Sequence, residues 1–231
     1  MDYLIEIFIS ALKMLLTLEP QILKIVFVSL WVSSISTLLA GMAGLPLGFY
    51  LGAYKYKGKQ TVFVILHTFM AVPTVVIGLL VYSFICRQGP LGGMQLLYTP
   101  TAMIIGQFIL ALPIITALCF SAAENTDPRL KKTLFSLGAN KFQTILAMII
   151  ETRLAVISAV MAGFSRVFAE IGISMMLGGN IDNYTRNITT TIALQTSKGE
   201  FALALALGMV LLSVALTMAL GLNIFLQFTR K

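Results

Sequence analysis

Four stretches of the chain run far enough without a charged residue to cross a bilayer, which takes about 20 predominantly apolar residues. They are Ile25–Tyr54, Gln60–Cys86, Gln88–Ala123 and Phe201–Thr229. GPLGG and the Thr99-Pro100 break trim the third to a span over residues 101–122. A fifth apolar segment, near residues 143–170, carries Glu151, Arg153, Arg166 and Glu170 where apolar residues would be expected. The pattern predicts an all-α polytopic membrane protein with five transmembrane helices.

The first 20 residues follow a different pattern. Asp2, Glu6, Ser10, Lys13 and Thr17 recur every three or four residues among Leu, Ile, Phe and Met. That period places one polar stripe along a helix. An amphipathic helix of this kind suits the headgroup interface, with a sixth, short span as the alternative. A signal peptide is not expected, because the basic start and a small-x-small cleavage site are missing. The domain division is therefore residues 1–20 as an amphipathic helix and 21–231 as a membrane domain.

Charge then orients the spans. Lys55, Lys57 and Lys59 crowd one short connection, Arg129, Lys131, Lys132 and Lys141 the next but one, and Arg230 and Lys231 end the chain. With five spans these places share one side, which the excess of basic residues makes cytosolic. The N-terminus is then outside and the C-terminus cytosolic. The net charge of +7 is accounted for without a nucleic-acid partner.

Several chemistries fall away. No G-x-x-x-x-G-K-[ST] phosphate loop is present, so ATP chemistry of that kind belongs elsewhere. Cys86 and Cys119 fit no metal-ligand spacing and would sit near opposite ends of successive spans, so neither a metal nor a disulfide is expected. One histidine, His67, builds no cluster; it reads as a polar side chain against a neighbouring helix, with a proton relay as the alternative. The sequons at Asn183 and Asn187 carry meaning only in a source that glycosylates. No catalytic residue and no cofactor is expected.

The charged interruption AAENTDPRLKKTLFSLGANKF, residues 122–142, reads as a helix–Gly–helix. Asp127-Pro128 suits a helix start. Leu130, Leu134 and Leu137 fall at helical spacing with Lys131 and Lys132 on the wet side; Gly138 breaks the helix and Asn140 opens the next. The residues alone fit a compact cytosolic knob and a solvated loop helix equally.

SLGANKFQTILAMIIE resembles the cytoplasmic EAA motif of ABC importer permeases. Gly138 matches its glycine and Leu137 and Ala139 the usual flanks. Lys132, Thr133 and Leu134 stand at the E-A-A positions, and Met148 to Glu151 at I-x-L-P. SRVFAEIGISMMLGGN, residues 165–180, is similar to the pattern A-R-A-x-G-E-F-G-A-x-x-M-L-A-G-N of molybdate, tungstate and sulfate permeases. Arg166, Glu170, Gly172, Met176, Leu177, Gly179 and Asn180 match it; Ser165, Ala169, Ile171 and Gly178 do not. PTVVIGLLVY, opening at Pro73, and RQGPLG resemble the same family. The short length, the MMLGGNI ending and the amphipathic start most resemble the tungstate permeases.

The resemblance implies a type I ABC importer permease fold in a bacterial or archaeal plasma membrane. Two copies would enclose a path in membrane lipid, cytoplasmic ATP-binding subunits would dock on the loop near 123–145, and an extracytoplasmic binding protein would deliver a tetrahedral oxyanion. Leu137, Gly138, Ala139, Asn140 and Lys141 are the expected coupling residues. Arg166, Glu170, Gly178, Gly179, Asn180 and Pro73 are the path candidates. Arg166 and Glu170, four apart, are expected to share a helix face and pair. That pair either fixes packing or puts Arg166 on an anion path with Glu170 tempering affinity. The Gly178–Asn180 turn could offer amides to an anion, or be a plain turn. The rival readings are a molybdate or sulfate permease, an ion-coupled secondary carrier, and a non-transporting membrane scaffold.

Overall fold

The computed structural model describes residues 2–17 and 19–229; Arg230 and Lys231, which the topology argument uses, lie outside them. The described residues form helices and connecting turns with no strand: α1 (Asp2–Leu16), α2 (Pro20–Ala53), α3 (Lys59–Ala71), α4 (Thr74–Ile85), α5 (Pro100–Glu124), α6 (Pro128–Ser136), α7 (Lys141–Glu151), α8 (Arg153–Phe168), α9 (Gly172–Gly178), α10 (Ile188–Lys198) and α11 (Phe201–Thr229).

Among the described residues three helices, α2, α5 and α11, are long and apolar enough to cross a membrane by themselves. The other two expected spans are bent. α3 and α4 meet at 91° and α7 and α8 at 80°, which gives five spans if each pair is counted as one. The first bend follows from Pro73, which lacks an N–H and pushes Val72 out of the helical region (φ −61°, ψ 130°). The second falls at Thr152, between Glu151 and Arg153. The segment expected as one helix over residues 143–170 is therefore α7, a sharp bend, α8 and a further break before α9.

The α2–α5 pair is the spine of the fold. α2 is apolar on every side, so hydropathy does not select its buried face; small residues do. Gly44, Gly48 and Gly52 recur every four residues and let α5 approach to backbone contact. A Cβ at Gly48 would stand 2.5 Å from the Thr116 carbonyl oxygen and 2.7 Å from Cys119 Cβ. α8 packs on both members of this pair, and α9 lies between α4 and α5. A polar thread crosses the dry interior: Ser36 of α2 donates to the Gln107 side-chain oxygen of α5 (3.3 Å), and the Gln107 amide donates to Ser174 of α9 (3.4 Å). All three are buried, where an unmatched polar group would be costly.

α1 packs along α11, with Ala11 buried and Phe8, Ile9 and Leu12 exposed. His67 does not face a neighbouring helix as expected. It lies exposed on α3 with its ring 4.2 Å from that of Phe63, one turn earlier on the same helix.

Candidate functional site

The charged interruption folds as two helices around a left-handed glycine. Asp127 accepts the N–H of Arg129 at the start of α6. Asn140 and Gln143 form a reciprocal capping box at the start of α7 (2.9 and 2.8 Å). Between them Gly138 has φ +79°, a conformation in which a Cβ is strained, and nothing lies within 4 Å of where that Cβ would be. Ala139 donates its N–H back to the Leu134 carbonyl and closes the turn. The knob shows apolar side chains to its surroundings: Leu137 is 78% exposed and Phe142 73%.

Beneath the knob, three lysines from three segments converge on the last turn of α2. Lys59, at the start of α3, donates to the Gly52 carbonyl (2.7 Å) and pairs with Glu124 at the end of α5 (3.2 Å). Lys131 of α6 donates to the Ala53 carbonyl (2.7 Å). Lys141, opening α7, stands over the Tyr54 ring, 5.8 Å from its centre. Burial, and then the neighbouring Lys59 charge, pull Lys131 below the ordinary lysine range, while Glu124 works in the opposite direction. The terminal carbonyls of α2 have no partner within the helix and form the negative end of its dipole, so cations suit them.

The expected Arg166–Glu170 pair is not formed. α8 ends at Phe168 and the chain turns, so the four-residue spacing no longer lies on one helix. Arg166 stays exposed in the last turn of α8. Glu170 is 5% exposed, and its carboxylate accepts the N–H groups of Gly172 (2.9 Å) and Ile173 (3.3 Å), capping α9. Its backbone carbonyl accepts the Thr189 hydroxyl (2.9 Å), which draws the start of α10 to the same point. Asn187 caps α10 through Thr190, and Ser29 of α2 accepts the Ile188 N–H (2.7 Å). Backbone amides and dipoles, rather than a cation, hold this carboxylate.

At the far end of the bundle from the knob, a cavity of about 590 Å³ is lined by Leu79, Tyr82, Tyr98, Met175, Met176, Gly179 and Ile181. Tyr98 has φ +64°, strained for a tyrosine. Its N–H donates to the Leu177 carbonyl (2.8 Å), and its ring covers Gly179, where a Cβ would lie 2.7 Å from it. In the Gly178–Asn180 turn the Gly179 N–H donates to the Met175 carbonyl (3.1 Å) and closes α9, so this amide is already committed. Gly178 is packed against Met103, Asn180 adopts φ 50°, and Pro73 is exposed at the α3–α4 bend. The structure thus gathers Gly178, Gly179 and Asn180 near the cavity and keeps Leu137 to Lys141 together on the knob.

The family described as "Binding-protein-dependent transport system inner membrane component" matches residues 44–228, well over half of the chain. The chain belongs to this family. As a member it is a multi-pass permease of the plasma membrane, with ATP hydrolysis in a separate subunit and a substrate-binding protein as partner. It is 40% identical over 215 residues to the tungstate uptake system permease protein TupB of Peptoclostridium acidaminophilum, covering 93% of this chain and 94% of that one. It is 41% identical over 215 residues to the TupB of Campylobacter jejuni, covering 93% and 90%. Among solved structures, the inward-facing MetNI methionine ABC transporter aligns with a TM-score of 0.71 and 16% identity, over 90% of this chain and 95% of that one, and this shows the fold.

Two features of this permease were missed in its sequence. The pattern puts Lys131 on the wet side of its helix and gives the other lysines around α2 as a topology signal or, for Lys141, a coupling residue. Instead Lys131 is partly buried on the Ala53 carbonyl, because the convergence depends on how α3 and α6 fold back. The strained Tyr98 gives no local signal, since only its contact with Gly179 explains it. The four-residue glycine spacing from Gly44 to Gly52 was a readable sign of close helix packing.

Proposed function

We propose that this permease conducts tungstate in an ATP-driven importer, working as two copies with N-termini outside and C-termini cytosolic. The observation that carries the substrate is identity of about two residues in five, over nearly the whole chain, to two tungstate permeases. Arg166 supports the oxyanion reading. A cation within a membrane span is costly unless it faces protein or water, yet Arg166 is exposed on the single chain. A second copy and a wet path between the copies would cover it, and one positive charge there attracts a dianion without trapping it. Glu170 is buried and serves the path indirectly, by fixing where α9 begins.

The knob from Leu137 to Lys141 is the proposed seat for the ATP-binding subunits. Its exposed Leu137 and the adjoining Phe142 suit burial in a groove on a soluble partner. The deciding experiment measures uptake of tungstate, molybdate and sulfate in cells carrying the whole system, with and without ATP-hydrolysing capacity in the partner subunit. Tungstate uptake that requires hydrolysis is expected. Preference for another oxyanion would overturn the substrate, and uptake that persists without hydrolysis but collapses with the ion gradient would favour a secondary carrier. In parallel, Gly138→Trp is expected to insert normally and to abolish substrate-stimulated hydrolysis.

A further inference from the structure

We infer that Lys131 is the positioning residue that carries movement of the α6–Gly138–α7 knob into α2. The inference rests on the knob being the ATPase seat and names the link beyond it. α6 follows α5 after a short turn, residues 125–127, and runs on into α7 through residues 137–140, so no chain connection joins it directly to α2. Its grip on α2 is the Lys131 ammonium on the Ala53 carbonyl at 2.7 Å, partly buried. That carbonyl belongs to the end of a helix whose terminal oxygens have no partners of their own. A charged donor to such an acceptor is short and strong, and directional.

The surroundings make the grip rigid. Lys59 holds the preceding carbonyl, of Gly52, and is itself held by Glu124. Lys141 covers Tyr54 from α7, so both knob helices touch the same turn. Above that turn α2 cannot slide freely along α5, because Gly48 and Gly52 bring the two backbones together. A push on α6 therefore reaches the longest helix of the bundle at its end, and α2 delivers it to α5 and α8, against which it packs. α7 also packs on α2, and Leu130 of α6 rests against the core, so without the Lys131 contact the stroke loses its one charged, directional link from α6 and reaches α2 through apolar packing.

The test uses the reconstituted permease with its ATP-binding subunits and binding protein, and reads ions transported per ATP hydrolysed. Lys131→Met is expected to assemble and hydrolyse ATP, with ions per ATP falling at least tenfold. Lys131→Arg, which still donates to a carbonyl, should recover transport to within about threefold. A purely structural role would lower the amount of complex and leave the ratio of surviving complexes unchanged, so a parental ratio in Lys131→Met overturns the inference. Gly138→Trp run alongside separates the two levels. If it blocks stimulated hydrolysis while Lys131→Met couples normally, only the link is wrong; if it hydrolyses normally, the docking seat is wrong and the link falls with it. Should Lys131→Met fail to assemble, amide exchange on the parent complex decides. Protection at α6 and at residues 52–55 must change together when ATP replaces ADP, and a change at α6 alone overturns the inference.

Discussion

The Glu170 carboxylate accepts the backbone N–H of Gly172 at 2.9 Å, not the guanidinium of Arg166. A buried carboxylate is thereby stabilised by the first amides of the helix it starts, which have no partner within that helix, the arrangement that suits an anion at a helix N-terminus. Glu170→Ala should leave the Gly172 and Ile173 amides unsatisfied and cost about 1–3 kcal/mol. Glu170→Gln keeps an acceptor and should cost less. Because the Glu170 carboxylate is held by backbone amides rather than by Arg166, the Arg166→Met and Glu170→Gln effects on the unfolding free energy of the purified permease should add to within about 0.5 kcal/mol. A double variant more stable than either single change would restore the ion pair.

Gly48 tests the spine. Its missing Cβ is replaced by the Thr116 carbonyl, which is backbone and has nowhere to retreat. Gly48→Ala should destabilise the protein by about 1–3 kcal/mol through overpacking. Gly221→Ala is the control, since nothing lies within 4 Å of its Cβ position. Melting of both variants in detergent checks this, and equal midpoints would contradict a close α2–α5 contact.

Four of the apolar segments were legible as uncharged runs long enough to enter a bilayer; the fifth, interrupted by Glu151, Arg153, Arg166 and Glu170, was the least legible by hydropathy. Gly138 and its flanking helices were legible because caps and left-handed glycines are local devices. The bends at Pro73 and Thr152 were not, as apolar composition is silent about direction. The pairing of Arg166 with Glu170 failed for a definite reason: helical spacing was carried through Ala169, where the helix has ended. Nor does any residue near Glu170 in the sequence announce Thr189, which arrives from 19 positions away.

Tyr98 and Gly179 make a third test. Both have positive φ, +64° and +68°, and the tyrosine ring fills the place of the glycine's side chain. Gly179→Ala adds a backbone penalty of roughly 1–2 kcal/mol and pushes Tyr98 off its seat beside the cavity. Uptake should fall at least tenfold while the variant still reaches the membrane. Cell uptake and a surface blot of the same cells read both quantities, and parental uptake would show that the seat has no part in transport.

Topology can be tested with two insertions. Lys59 and Lys131 hold adjacent carbonyls at the end of α2, so the 54–59 connection and α6 must lie on one side of the membrane. Near the other end of α2, Lys24 donates to the Asn183 side chain (3.2 Å), which places the 180–187 loop opposite. The basic excess in the first group makes that side cytosolic. A reporter inserted near Lys57 should therefore report the cytosol, and one near Asp182 the outside. Equal signals from the two would rule out the five-span arrangement; reversed signals would keep the spans and invert the proposed orientation.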